Sequence, residues 1–509
     1  MTMGDIVTDN AQRFPDTAAY RLGSRVVSHA ELRCRAVRLV SAMVAAGLRR
    51  QDRIAVMGRN SVEFGELMAA TQLGGIVMAT INFRLSRPEV FDVLQRVTPS
   101  LIFCDDEFAP MIGDVARQLS GVKLVSIGSA GRPDMIGFEE FAASGRPDEL
   151  PLTARPDDIA CLLFTSGTTG ASKCCILGHR ELRRIVFAAN AEMRAGSDDR
   201  GLINMPMFHF GAIAIIGALH ARGGTVCLQR RFVPGEAAHL AATENITVLH
   251  LAPVMLQTLL DEVGDDGLLD DVRTVVYSAA PMTIATLRQA IRTMPGAGFL
   301  NLYGQTECIV SSLPRELHTV TTPDAARRLS SVGFPFPGVR VRIVDDDDRE
   351  VPPGQPGEIL VRSDSLFRGY WNDHAATLNT LRDSWCHTGD VGRFDERGLL
   401  YLVDRKKDVI ISGGENVYSP EVEDVITALD EVTGCAVVGV PDPQWGEAVC
   451  AVVVLRPGKT LELDAVQHAV RRRLARYKVP RRLVVVDELP LLATGKIDKK
   501  RLRAEVADG

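Results

Sequence analysis

Between residues 30 and 302, short apolar runs that end in loop residues alternate with segments of helical spacing, and this alternation limits the fold most. Residues 30–48 carry apolar side chains at helical spacing, with Glu31, Arg33 and Arg35 on the other side. Ile54-Ala-Val-Met57 is a short apolar run that stops at Gly58-Arg-Asn60, as a buried strand would, and 61–73 again has helical spacing. Thr274-Val-Val-Tyr277 and Gly298-Phe-Leu-Asn-Leu302 repeat the strand-then-loop form. Strands and helices in turn imply α/β layers with largely parallel sheets. Beyond Leu329 the style changes to short strands between Gly/Pro turns (333–338, 339–344, 352–354, 358–361), which implies a β-rich subdomain. A charged stretch, Val403-Asp-Arg-Lys-Lys-Asp408, precedes expected helices at 420–429 and 463–474 and strands at 432–440 and 450–455, a small α+β unit.

A chain of 509 residues exceeds the ~250–300 at which one core stops growing, so at least two domains are expected. The expected division is a large domain at 1–403, a hinge at 404–408 and a small mobile domain at 409–509. A net charge of −6 argues against a general nucleic-acid binder. The longest apolar run, near 211–219, is far short of the ~20 residues of a membrane-spanning helix. Residues 1–16 lack the apolar core of a signal peptide, so the expected location is cytoplasmic. The ten cysteines show no CxxC pair. Cys174-Cys175 with His179 has no second ligand pair, so reduced thiols are expected rather than a metal site.

One loop points to chemistry. The apolar run Ile159-Ala-Cys-Leu-Leu-Phe164 opens into Thr165, Ser166, Gly167, Thr168, Thr169 and Gly170, followed by Lys173. Glycines and small hydroxyl residues let backbone N–H groups turn toward a polyanion, and a lysine adds positive charge. The spacing is not that of a Walker A loop. A plain turn is the other reading.

Together with Tyr303-Gly-Gln-Thr-Glu307, Thr388-Gly-Asp390, Asp404-Arg-Lys-Lys407, Ile411-Ser-Gly-Gly-Glu-Asn416 and Ala493-Thr-Gly-Lys496, in that order, this loop resembles the motif set of the adenylate-forming enzymes. These include acyl- and aryl-CoA synthetases, luciferases and peptide-synthetase adenylation domains. The resemblance runs from about Ala30 to Leu502 and is strongest to acyl- or aryl-CoA ligases. It implies ATP, Mg2+ and coenzyme A as reactants or cofactors, a small carboxylic acid as substrate, and no nucleic acid; a homodimer is left open.

The resemblance also implies roles. Lys496 is the adenylation lysine, unless it is one more surface lysine beside Lys499 and Lys500. Thr306 contacts the α-phosphate, Glu307 holds Mg2+, and Tyr303 stacks on adenine or is a core aromatic. Asp390 accepts from the ribose hydroxyls or is a turn residue, and Arg405 adds a ribose or phosphate contact. Lys407 is the hinge. Gly413 and Gly414 line a pantetheine tunnel or form a plain turn. Trp445, Tyr477 and Arg84 match contacts to CoA. The basic residues Arg471, Arg472, Arg473, Arg476, Lys478, Arg481 and Arg482 attract its phosphates, or most of them are a solvated helix face.

The match departs at Ser172-Lys173-Cys174, where the family usually has Pro-Lys-Gly, so altered ATP affinity is expected. Val479 replaces an arginine found in some aryl-CoA ligases. The implied acyl pocket is His209, Phe210, His250, Ala280, Leu302, Gly304, Ile309 and Val310. His209 is either a gate at the carboxylate site or a core histidine. The pocket has no acidic or arginine partner for a second charge, so the far end of the acid should be neutral. An aromatic, alicyclic or medium-chain monocarboxylic acid is expected. Transfer to a carrier-protein thiol and an inactive nucleotide-binding homologue are the alternatives.

Overall fold

The fold is taken from a computed structural model that describes residues 1–128, 134–165, 172–264, 267–280, 282–319, 322–491 and 497–507. The chain forms two compact units: Met1–Arg340 with Val361–Cys386, and Val341–Leu360 with His387–Gly509.

The first unit holds two large sheets. One has nine strands, with Ile309–Leu313, Gly298–Gly304, Thr274–Tyr277, Val248–Leu251 and Arg200–Ile203 side by side. The other has seven, with Arg53–Met57, Val77–Thr80, Ile159–Thr165 and Lys173–Gly178 in that order at one end. Pairings such as Val248–Leu251 with Thr274–Tyr277 are parallel. Lys173–Gly178 runs antiparallel to Ile159–Thr165, so the seven-stranded sheet ends in a hairpin.

Caps set the helix ends. The helix expected at 30–48 is His29–Ala45, started by a capping box in which Ser28 and Glu31 exchange hydrogen bonds. The helix expected at 61–73 is Val62–Gly74, capped by the Ser61 hydroxyl and ended by Gly75 at φ 67°. Its residues are buried on nearly every side, because it packs chiefly on the helices His29–Ala45 and Gly4–Arg13 and also on strands of both sheets. The apolar run near 211–219 is the buried helix Phe210–His220. An all-round apolar helix of this length belongs to a protein interior, and no helix among the described residues is long and apolar enough to cross a membrane.

The second unit contains the long antiparallel pair Val432–Asp442 and Gly446–Leu455, covered by Ser419–Thr427 and Leu463–Arg471. Its two valine-rich faces bury separate clusters, one against these helices and one against Lys499–Ala507. Trp385–Phe394 pairs antiparallel with Leu400–Arg405. These elements are the α/β layers, the β-rich part and the α+β unit that the periodicity implied.

Candidate active site

In the first unit, Thr165 and Lys173 are cross-strand partners at the end of the hairpin. Ser166, Gly167, Thr168, Thr169 and Gly170 lie outside the described residues. The Ser172-Lys173-Cys174 departure has a local counterpart. The Arg96 guanidinium donates to the Ser172 carbonyl at 2.7 Å, and Trp371 N–H donates to the Cys174 carbonyl at 2.7 Å. These two bonds fix the backbone on both sides of Lys173, where proline would otherwise stiffen it.

The segment around Tyr370 lies against this hairpin, with Ile176 exchanging backbone bonds with Arg368 and Gly369. Tyr370 is where the phosphate-loop and glutamate motifs meet. Its hydroxyl donates to Glu307 Oε1 at 2.8 Å, and its ring lies 4.8 Å from Lys173 Nζ. Burial, then the Glu307 carboxylate, pushes the phenol pKa well up, so Tyr370 stays a donor. The Cys175 thiol, also raised by burial and by Glu307, hydrogen-bonds the same carboxylate and is not a reactive thiolate. Glu307 is 8 % exposed. It sits at the tip of a tight hairpin, where Gln305 and Cys308 exchange backbone bonds of 2.7 and 3.2 Å. Gly304 is required there, because a Cβ would lie 2.7 Å from the Cys308 carbonyl oxygen. Thr306 shares the tip, half-buried, and Tyr303 is half-buried one strand residue before Gly304.

Among the described residues no group of three His, Cys, Asp or Glu side chains could hold a metal ion. Glu307 therefore fits a hard cation only as one carboxylate ligand among phosphate and water oxygens, which suits Mg2+.

Three of the acyl-pocket candidates, His250, Leu302 and Gly304, share one sheet face. His250 pairs with Val276, and Val276 with Leu300. Side chains two apart share a face, so Ser278, Leu302 and Gly304 continue the line. Phe210 begins the helix over this face, and a Cβ on its neighbour Gly211 would be 3.4 Å from His250 Cε1. Ile309 and Val310 stand on the adjoining strand. His209 stands at the N-cap position of that helix without a side-chain capping bond, and its ring lies 4.2 Å from the Phe208 ring. Ala280 is exposed at the strand's end, after Ala279 at φ 75°. A left-handed alanine is strained by roughly 1 kcal/mol or more. Ala279→Gly is accordingly expected to raise the thermal midpoint of the unit by about 1–2 °C; calorimetry with an unchanged or lowered midpoint would count against strain at this position.

In the second unit Asp390 and Arg405 are cross-strand partners, with Arg405 Nε 2.5 Å from Asp390 Oδ1. Thr388 Oγ accepts the Asp390 N–H at 3.1 Å and itself donates to the Ile359 carbonyl at 2.7 Å, fixing the carboxylate's backbone. Lys407 is the third residue of a turn closed by Asp408 N–H on the Arg405 carbonyl at 2.8 Å, and burial lowers its amine pKa. Gly413 and Gly414, at φ 61° and 83°, are the two central residues of a hairpin turn whose strands pair at Ser412 and Glu415. Positive φ at both positions is the twist-matched hairpin turn, so the plain-turn reading describes their backbone. Gly413 also lies under Trp445: a Cβ there would be 2.7 Å from the Trp445 ring. The Arg481 guanidinium covers that ring at 4.0 Å. Tyr477 is half-buried against the helix-covered core. Arg84 belongs to the first unit, beside Phe83 and Arg59. Lys496 lies outside the described residues.

Tyr370 and Ser278 lie in no motif, and Cys175 enters the sequence reading only as a reduced thiol. Tyr370 stands 63 positions from Glu307. In the sequence it stands in the aromatic-rich run Phe367-Arg-Gly-Tyr-Trp371, which belongs to none of the motifs.

Residues 7–371 match the family model described as "AMP-binding enzyme", and 421–496 match its C-terminal domain. The chain is 34 % identical to a feruloyl-CoA synthase of Amycolatopsis sp over 98 % of both proteins. It is 33 % identical to a fatty acid–[acyl-carrier-protein] ligase of Streptomyces coeruleorubidus, over 99 % of this chain and 96 % of that protein. The crystal structure of ATP-bound MatB from Rhodopseudomonas palustris superposes with TM-score 0.90 at 30 % identity, covering 100 % of this chain and 99 % of that one. The chain belongs to the AMP-binding enzyme family, as an AMP-forming acid–thiol ligase.

Proposed function

We propose that this enzyme joins a carboxylic acid to ATP as an acyl-adenylate and then passes the acyl group to the thiol of free coenzyme A. The observation that carries the reading is the Lys173–Tyr370–Glu307 arrangement, which gathers a phosphate-loop cation and a buried carboxylate acceptor around one phenol.

Both reactants of the first step are anions, so the protein's task is neutralising charge and holding an in-line approach of the carboxylate to the α-phosphorus. Lys173 and the hydroxyls of Thr165, Ser166, Thr168 and Thr169 serve the phosphates, Thr306 the α-phosphate, and Tyr303 the adenine. Glu307 would hold Mg2+, which would supply positive charge beside the leaving pyrophosphate. Asp390 accepts from the ribose hydroxyls, with Arg405 holding its other side, and Lys496 stabilises charge at the α-phosphate. For the second step, Arg84, Trp445, Tyr477 and Arg481 serve CoA, Gly413 and Gly414 its pantetheine arm, and Lys407 is the hinge at 404–408. The acid is an aromatic, alicyclic or medium-chain monocarboxylate.

A panel of acids in acid-dependent exchange of pyrophosphate into ATP, followed by thioester formation with CoA, tests the reading. Exchange without any CoA thioester would favour a carrier-protein thiol, the reaction in the name of the Streptomyces coeruleorubidus relative. No exchange across the whole panel would sink the proposal.

Tyr370→Phe removes one hydroxyl-to-carboxylate bond, worth ~1.5–3 kcal/mol when the acceptor is charged. It is expected to raise the Mg2+ concentration for half-maximal exchange about tenfold, with the thermal midpoint shifted by only a few degrees. A variant that loses rate with an unaltered Mg2+ profile would show that Tyr370 does not position Glu307.

A further inference from the structure

His250 is 2 % exposed, yet only one of its ring nitrogens has a partner. Nε2 lies 3.0 Å from Ser278 Oγ, while Nδ1 is buried without a hydrogen bond among the described residues. Buried polar nitrogens in native proteins are nearly always paired. An orphan on the sheet face shared with Ser278, Leu302 and Gly304 (the implied acyl-binding face) therefore needs an explanation. Packing does not supply one. The room left at Gly211 lies on the other side of the ring, where a Cβ would stand 3.4 Å from Cε1 and 4.0 Å from Nε2, and it gives Nδ1 no partner. Ser278 is half-buried and followed by exposed Ala279 and Ala280, so the His250–Ser278 pair runs from the interior to the open end of the sheet.

We infer that His250 is a specificity residue: its Nδ1 hydrogen-bonds a neutral hydroxyl on the far part of the acid substrate. The inference rests on the acid–CoA ligase reading and narrows its substrate class from "neutral" to "neutral and hydroxylated". Charge excludes a second carboxylate or an amine. Burial lowers the imidazole pKa to about 4, so the ring is uncharged near neutrality and offers no counter-ion. A hydroxyl suits both tautomers. If Ser278 donates to Nε2, Nδ1–H donates to the substrate oxygen; if Nε2–H donates to Ser278, Nδ1 accepts the substrate O–H. A methyl or ring C–H in that place leaves Nδ1 unpaired. Sites built to hydrogen-bond a hydroxyl discriminate strongly against analogues that lack it.

The test compares matched acids: phenylacetate with its 3- and 4-hydroxy forms, cinnamate with its 3- and 4-hydroxy forms, and octanoate with 8-hydroxyoctanoate. The readout is the ratio of kcat/KM within each set, in pyrophosphate exchange and in CoA thioester formation. This ratio does not depend on the fraction of folded enzyme. The parent enzyme should favour a hydroxylated member by tenfold or more in at least one set. His250→Phe should bring that ratio to one or below, and His250→Asn, which keeps a polar atom near the Nδ1 position, should retain most of it. A ratio near one in every set, or one that His250→Phe leaves intact, overturns the inference while the ligase reading stands. Absence of exchange with every acid in the parent enzyme overturns both.

Discussion

Lys496→Ala is expected to lower acid-dependent pyrophosphate exchange by roughly a thousandfold, about 4 kcal/mol of barrier, while thioester formation from supplied acyl-AMP and CoA stays within about threefold of the parent. The asymmetry follows from the charge balance of the two steps. In adenylation a carboxylate approaches a triphosphate, and negative charge must be neutralised where it crowds the α-phosphorus. Lys173 is committed to the side of Tyr370 and Glu307, so a second cation is needed for the attacking side. In thioester formation the acyl group is already activated and the leaving group is AMP, so a lysine that served the attack on ATP has no developing charge to offset. Rapid-quench measurement of each half-reaction separates the two. Equal losses in both would assign Lys496 a structural or general binding role. Lys496→Arg should not restore the rate, because a planar guanidinium replaces a point charge with a different reach.

Much of the architecture could be read from local signals because those signals are local in cause. Ser28 with Glu31, and Ser61 with Gly75, fix helix ends through side-chain bonds to backbone within a few residues. The strands expected at 432–440 and 450–455 are near-continuous apolar runs, and they lie inside Val432–Asp442 and Gly446–Leu455. Among the described motif residues, Thr165, Lys173 and Arg405 stand at strand ends, Glu307 and Lys407 in turns, and Asp390 within a strand. What could not be read was adjacency. Nothing in the spacing of Glu307 and Tyr370 predicts a hydrogen bond between them. Nothing around Ser172 announces that Arg96 supplies the anchorage that a proline would give. The orphan nitrogen of His250 emerges only from the register of three parallel strands. Residue type was visible in the sequence; satisfaction of each polar group depended on partners that only the fold brings near.

Lys407→Pro is expected to split the half-reactions in the opposite sense: adenylation within about tenfold of the parent, thioester formation reduced a hundredfold or more. The contacts within the second unit single out this residue. Before it, Arg405 is paired with Asp390, and Lys406 N–H donates to the Gly389 carbonyl at 2.9 Å, so both are tied to the strand Trp385–Phe394. After it, Asp408 is paired with Arg503 at 3.1 Å, on the helix Lys499–Ala507. A rotation of the C-terminal lobe against the strand that carries Asp390 concentrates its dihedral change at the residue between those anchors. It must also break the bonds by which the Asp404 carboxylate accepts from Ser419 N–H and Oγ at 2.7 and 2.9 Å. Proline fixes φ at 407 and pushes residue 406 away from the right-handed region. Some loss of stability is therefore built in, since proline is disfavoured at the third position of such a turn. Lys407→Ala provides the control: it removes the side chain but keeps φ free, and should retain both half-reactions. If Lys407→Pro slows both steps by the same factor, the turn is a structural element. If thioester formation alone collapses while Lys407→Ala remains active, backbone freedom at 407 is what the second step requires.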